Sequence, residues 1–248
     1  MEDSNIYIRK EDFHESRKFI KINRDIDVCL VLIEKLLSFN RVIWKDVTNA
    51  LKIPSHIIDY RVEQFGYFEN TLQSIFYNCY SLKNFYDVST YMNYKGINNT
   101  LGHTFNNQRR YITFNAIVKM SSIFEFTRKE YERTIKGKNY FEKMALKHSD
   151  LARSVELLNH FRNTIHSNGI WDKEGKKKPL EYNLREGKQI IKSGEPFKYD
   201  HWQLYRIIKD SIELHKVLAL NNEAMRLRKS RLSVNGQQLS ILKTDLNF

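Results

Sequence analysis

Breakers are scarce in this sequence: 248 residues contain only 3 prolines and 9 glycines. That scarcity argues against an all-β sandwich with frequent tight turns and favours long helices. Cysteine is nearly absent as well. Cys29 and Cys79 give no disulfide framework and no zinc spacing, and both fall in apolar helical stretches, where a free thiol behaves as a small hydrophobe. A reducing cytoplasm is the expected compartment. No apolar run approaches the ~18 residues needed to span a bilayer. The longest, Val28 to Ile33, is interrupted by Glu34 and Lys35. The opening Met1-Glu2-Asp3-Ser4-Asn5 is acidic and polar, unlike a signal peptide. There is no Gly-rich phosphate loop, no G-x-S-x-G elbow and no His/acid pair at ligand spacing. A nucleoside triphosphatase and a serine hydrolase are therefore disfavoured, and no cofactor or metal is expected.

Apolar and aromatic residues are plentiful. Hydrophobic residues make up 41% and aromatics 13%, with 15 Phe and 14 Tyr. That composition belongs to a folded chain with a sizeable core. The net charge of +12 points to a polyanionic partner, above all nucleic acid. The plainer alternative is a solubilising surface.

Along the chain, Ile6-Tyr7-Ile8 suggests a short strand and Glu11 to Ile22 a first helix. Asp25 to Phe39 carries a broad apolar face from Val28, Leu30, Val31, Ile33, Leu36 and Leu37. Val42 to Leu51 reads as a short helix, broken at Pro54, with Ser55 as the next cap. Short helix, turn, helix invites a helix-turn-helix comparison. The second segment has few basic residues for a recognition helix, so packing within a bundle is the better account. Ile57 to Tyr86 is rich in aromatics, namely Phe65, Tyr67, Phe68, Phe76, Tyr77, Tyr80, Phe85 and Tyr86. Their helical spacing reads as core before it reads as a base-stacking platform. Gly96, Asn98, Asn99, Gly102, Asn106 and Asn107 mark a loop and a boundary between two helical units. Arg109 to Ile135 reads as the longest helix, with a Glu125–Lys129 i, i+4 pair and Gly137 as its stop. Phe141 to Lys147 is a short helix. Leu180 to Leu184 and Lys188 to Lys192, joined by Arg185-Glu186-Gly187, form a hairpin. Asp200 caps a last long helix from Trp202 to about Arg231, and a polar tail follows.

The stretch Phe161-Arg162-Asn163-Thr164-Ile165-His166-Ser167-Asn168-Gly169 carries the chemistry. It closes an amphipathic helix that begins near Ser149, with Leu151, Val155, Leu158 and Ile165 on its buried side. Arg162 and His166, spaced i, i+4, lie on one face. Asn168-Gly169 is a helix stop. A guanidinium grips a phosphate as a fork, and an imidazole titrates near neutrality. The same residues have a structural reading too. A histidine in the last turn interacts with the helix dipole, and Arg162 can pair with a carboxylate of another helix.

An arginine followed by Asn, then a histidine near a helix end, resembles the signature of HEPN domains. These are all-α domains of many bacterial toxins and antiviral effectors, and many of them are dimeric, metal-independent ribonucleases. The likeness covers the motif and, loosely, Asn107 to Leu220. The family usually places four to six residues between Arg and His, and here there are three. Arg153 and His160 have six between them, but this pair sits mid-helix and is followed by Ser154, not Asn. His201 and His215 read as single packing or surface residues.

The expected fold is a mainly α-helical bundle with a small β-hairpin insertion. Its parts are an N-terminal helical region (1–98), a HEPN-like helical domain with its hairpin near 180–192 (99–232), and a polar tail (233–248). The resemblance further implies an endoribonuclease in toxin or antiphage defence, acting by 2′-hydroxyl attack. Arg162, His166 and Asn163 are its expected catalytic residues. The partners expected are RNA, a second copy of the chain in a homodimer, and an antitoxin or defence-complex subunit, with no membrane. The other function carried forward is a non-catalytic module of the same fold that binds RNA or a protein. Two basic clusters are candidate phosphate contacts: Lys173, Lys176, Lys177 and Lys178, then Arg226, Arg228, Lys229 and Arg231.

Overall fold

Between Lys18 and Leu51 no glycine or proline interrupts the chain, and the segment forms a single 34-residue helix, α1 (Lys18–Leu51). The computed structural model of the protein describes residues 18–53, 59–91, 98–135, 139–166, 179–185, 187–192 and 200–225. The separate helices expected at 11–22, 25–39 and 42–51 are thus corrected over the described range. Asn40 and Arg41, which look like a polar break, are accommodated within the helix. Asn40 is fully buried, and its side-chain amide donates to the Phe65 carbonyl at 2.9 Å. Arg41 pairs with Glu69 at 2.6 Å. The helix closes at Lys52, whose φ of 49° is left-handed. The strand expected at 6–8 and the caps expected at Pro54-Ser55 lie outside the described residues.

Asp59 supplies the cap instead. Its Oδ1 accepts from the Arg61 backbone N–H at 3.0 Å, and α2 runs Tyr60–Tyr91. Gly66 is its one glycine. A Cβ there would stand 3.5 Å from the Trp44 ring, so the position brings α1 and α2 close together. The two helices are antiparallel: Asn40 meets Phe65, and Asp27 meets Lys83. The third helix, α3 (Asn98–Thr134), starts earlier than expected. Residues 98–107, read as loop from their Asn and Gly content, form its opening turns. The propensity penalty of Gly102 and the asparagines is modest per residue, and a 37-residue helix can absorb it. Phe68 packs near Phe124 and Tyr60 near Tyr131, so α2 and α3 are also antiparallel.

Next in the chain come α4 (Tyr140–Lys147) and α5 (Ser149–His166). The hairpin follows as β1 (Leu180–Leu184) and β2 (Gly187–Ile191), paired Leu180↔Ile191 through Leu184↔Gly187. Gly187 has φ of 135° beside the turn, a conformation that favours glycine. The hairpin rests on α5 through Leu180, Tyr182 and Leu184. Arg185 at its turn bonds Asp150 at 2.6 Å and Glu213 at 2.9 Å, which ties it to α5 and to the next helix. That helix is α6 (His201–Leu220), capped by Asp200, which accepts from the Gln203 N–H at 2.7 Å. It stops eleven residues short of the expected Arg231, because Asn221 turns to extended geometry before the one-turn α7 (Asn222–Met225).

The architecture is a mainly α-helical bundle with one small antiparallel hairpin. α2 lies between α1 and α3, and α6 lies between α1 and α5, while α3 packs on α5. The apolar interior is one continuous cluster reaching from α1 to α7. At its centre α2 meets α6 in a polar knot. Arg61, 1% exposed, pairs with Asp59 at 2.6 Å. It also donates from Nη1 to the Ala224 carbonyl. His215 is fully buried and its Nε2 lies 2.9 Å from the Arg61 carbonyl. The Phe65, Phe68 and Tyr131 rings surround the imidazole. Burial lowers its pKa to about 4, so it is neutral at physiological pH.

The aromatic expectation for α2 holds only in part. Phe65 and Phe68 are buried, whereas Tyr77, Tyr80 and Phe85 are exposed. Tyr77 and Tyr80 lie beside Phe76, their ring centroids 5.9 Å and 6.4 Å from its own.

Candidate functional site

Eight residues of α5 are buried, among them Leu151, Val155, Leu157, Leu158 and Phe161. They wrap most of the helix circumference, and past Val155 the row that faces α3 becomes a polar stripe. Asn159, Arg162 and His166 follow one another along that stripe, and Asn163 flanks it. The stripe borders α3, which presents Ser121, Glu125 and Lys129 at i, i+4 spacing. The candidate site is therefore a surface patch along the α3–α5 seam.

Contacts across the seam are polar and short. The Ser121 hydroxyl donates to Asn159 Oδ1 at 2.5 Å. Arg162 Nη1 donates to Glu125 Oε2 at 2.5 Å, and Lys129 Nζ lies 3.0 Å from Glu125 Oε1. The two cations, with the Lys129 hydrogen bond contributing most, hold the Glu125 carboxyl below the usual carboxylate range. The Arg162 side chain is 28% exposed. Among the described residues only its Nη1 has a partner, which leaves Nε and Nη2 as donors for an incoming anion. His166 and Asn163 are exposed, and His166 is the last residue of α5. The structure thus brings Arg162, Asn163 and His166 to one surface, and it also gives Arg162 the interhelical carboxylate foreseen in the plainer reading.

His160 faces elsewhere. Its ring centroid is 6.1 Å from that of Tyr182, under the hairpin, so the Arg153–His160 pair belongs to the hairpin side of α5. His215 is the core residue described above, and His201 is half-buried with a pKa lowered mainly by burial. Both lysine and arginine clusters, 173–178 and 226–231, lie outside the described residues, as does the Asn168-Gly169 stop. Glu125 was visible in the sequence only as the partner of Lys129, and nothing singled out Ser121. Their signal was a pair of hydrogen-bonding residues one turn apart on a mostly apolar side of α3.

Among the described residues no group of three or more His, Cys, Asp or Glu is arranged to hold a metal ion. No helix among them is long and apolar enough to cross a membrane. Both cysteines are free, with thiol pKa values raised by burial, that of Cys79 to about 11. They are therefore poor nucleophiles. No family model, no curated protein and no solved structure matches the chain.

Proposed function

We propose that this protein is a metal-independent endoribonuclease of HEPN type, an effector in toxin or antiphage defence. The observation that carries the reading is the α5 stripe. A histidine on the surface stands one turn from an arginine whose Nη1 is fixed by Glu125 and whose remaining fork is open to an anion. Arg162 would grip the scissile phosphate through Nε and Nη2 and stabilise the charge that develops on it. His166 would take the proton from the ribose 2′-hydroxyl. O2′ then bonds to phosphorus, the P–O5′ bond breaks, and a 2′,3′-cyclic phosphate forms. Protonation of O5′ calls for a second acid, which the same histidine of a second copy would supply in a two-fold dimer. Asn163, exposed beside the pair, would orient the phosphate. The net charge of +12 favours an RNA partner.

A second reading rests on the Arg162–Glu125 pair itself. A guanidinium already bonded to a carboxylate is also what a non-catalytic helical module would present, one that binds RNA or a protein without cutting. Incubation with total RNA and a labelled tRNA in EDTA, beside an Arg162→Ala/His166→Ala variant, separates the two. The nuclease reading expects fragments from the wild type alone. Binding without cleavage by either protein supports the module, and equal cleavage by both refutes the site.

A further inference from the structure

Away from the α3–α5 seam, an open cleft of about 900 Å³ lies between the second half of α1, the end of α4 and the outer side of α6. Its volume is that of a small-molecule site. Its apolar lining includes Phe39 and Val42 of α1 and Val217 and Leu220 of α6. Val42 is 60% exposed, so this surface is left uncovered by the fold. Its polar lining includes His148, Arg185, Lys209 and Lys216, together with Asp46 and Glu213.

The charges do not cancel evenly. Asp46 is taken by Lys216 at 3.2 Å, and Glu213 by Arg185 at 2.9 Å. Lys209 is left over. Its ammonium sits 5.3 Å from the centroid of the Phe39 ring, and among the described residues no carboxylate pairs with it. A lysine held over an aromatic ring, in a cleft that also exposes Val42, offers one positive charge beside apolar surface. The complement is a molecule with an anionic group and a flat or apolar body.

We propose that this cleft binds an amphipathic organic anion of about mononucleotide size. The anionic group lies on Lys209, and the body lies against Val42, Val217 and Leu220. The proposal stands independently of the ribonuclease reading, because it uses no residue of the α3–α5 seam.

The test uses 8-anilinonaphthalene-1-sulfonate, a sulfonate on an aromatic body, titrated against the full-length protein. Lys209→Glu and Val42→Asp are the variants. Both positions are at least partly exposed, so circular dichroism is expected to show them folded. The expected result is saturable one-to-one binding, with Kd raised tenfold or more in each variant. Absence of saturable binding overturns the proposal, and so does an affinity unchanged in both variants. A loss confined to one variant also overturns it, since that would report a surface ion contact or an apolar patch alone.

Discussion

Replacing His215 by Gln should lessen the protein's sensitivity to mild acid, to which His201, its pKa also lowered by burial, contributes in both proteins. The imidazole is fully buried among Phe65, Phe68 and Tyr131, with one hydrogen bond to the Arg61 carbonyl. Its pKa falls from the ordinary value of 6.5 to about 4 because burial disfavours the charged ring. Between these values the unfolded chain binds the proton and the native protein does not. The stabilisation is therefore complete above pH 6.5 and is lost as pH falls toward 4. At about 1.4 kcal/mol per pH unit, lowering the pH from about 7.5 to about 5 should cost about 2 kcal/mol from this residue alone. Glu125 and Asp150, whose carboxyls are held low by basic neighbours, add their losses nearer the carboxylate range. Asp210, raised by burial, acts in the opposite direction. The introduced glutamine would keep an N–H donor for the Arg61 carbonyl and cannot titrate. Urea unfolding followed by circular dichroism at the two pH values measures the difference. The wild type should lose about 2 kcal/mol more than H215Q over this interval. Equal losses in both proteins would refute the assignment of a neutral buried imidazole.

Gly66→Ala should stabilise the protein by about 0.5–1 kcal/mol, because α2 gains helix propensity and the new methyl group meets Trp44 at ordinary contact distance; a rise in Tm checks it. Asp59→Asn leaves the Arg61 guanidinium buried without its counter-charge and should cost about 3–5 kcal/mol in a denaturant titration. Glu125→Gln removes the carboxylate that competes for Arg162. It should tighten RNA binding by about two- to fivefold, the factor expected when an exposed pair of roughly 0.5–1 kcal/mol is released; a filter-binding titration at fixed salt reads it out.

Much of the bundle was legible because its signals are local. Sparse breakers announced long helices. The Asp200 cap, the i, i+4 pair of Glu125 and Lys129, and the first strand of the hairpin appear where they were expected, while the second strand runs one residue earlier, from Gly187 to Ile191. The misreadings share a cause. Asn40-Arg41 and the Asn/Gly residues of 98–107 look like interruptions by composition, but tertiary partners or sheer helix length override weak propensity. Conversely, α6 was extended too far because nothing in the sequence forbids helix at Asn221. The polar knot of Asp59, Arg61 and His215 was invisible, since Arg61 and His215 meet from 154 residues apart in sequence. For the same reason the site was half legible. The spacing of Arg162 and His166 places them on one face, whereas the carboxylate that holds Arg162 comes from α3, 37 residues away.

The ribonuclease proposal turns on His166 moving protons in a cut initiated by a 2′-hydroxyl. The decisive measurement is mass spectrometry of the 3′ ends left on a defined RNA oligonucleotide, digested in EDTA by the wild type and by His166→Ala. The expected outcome is 2′,3′-cyclic phosphate ends from the wild type and intact oligonucleotide with the variant. Cleavage by His166→Ala at the wild-type rate, or 3′-hydroxyl ends from either protein, would contradict the proposal.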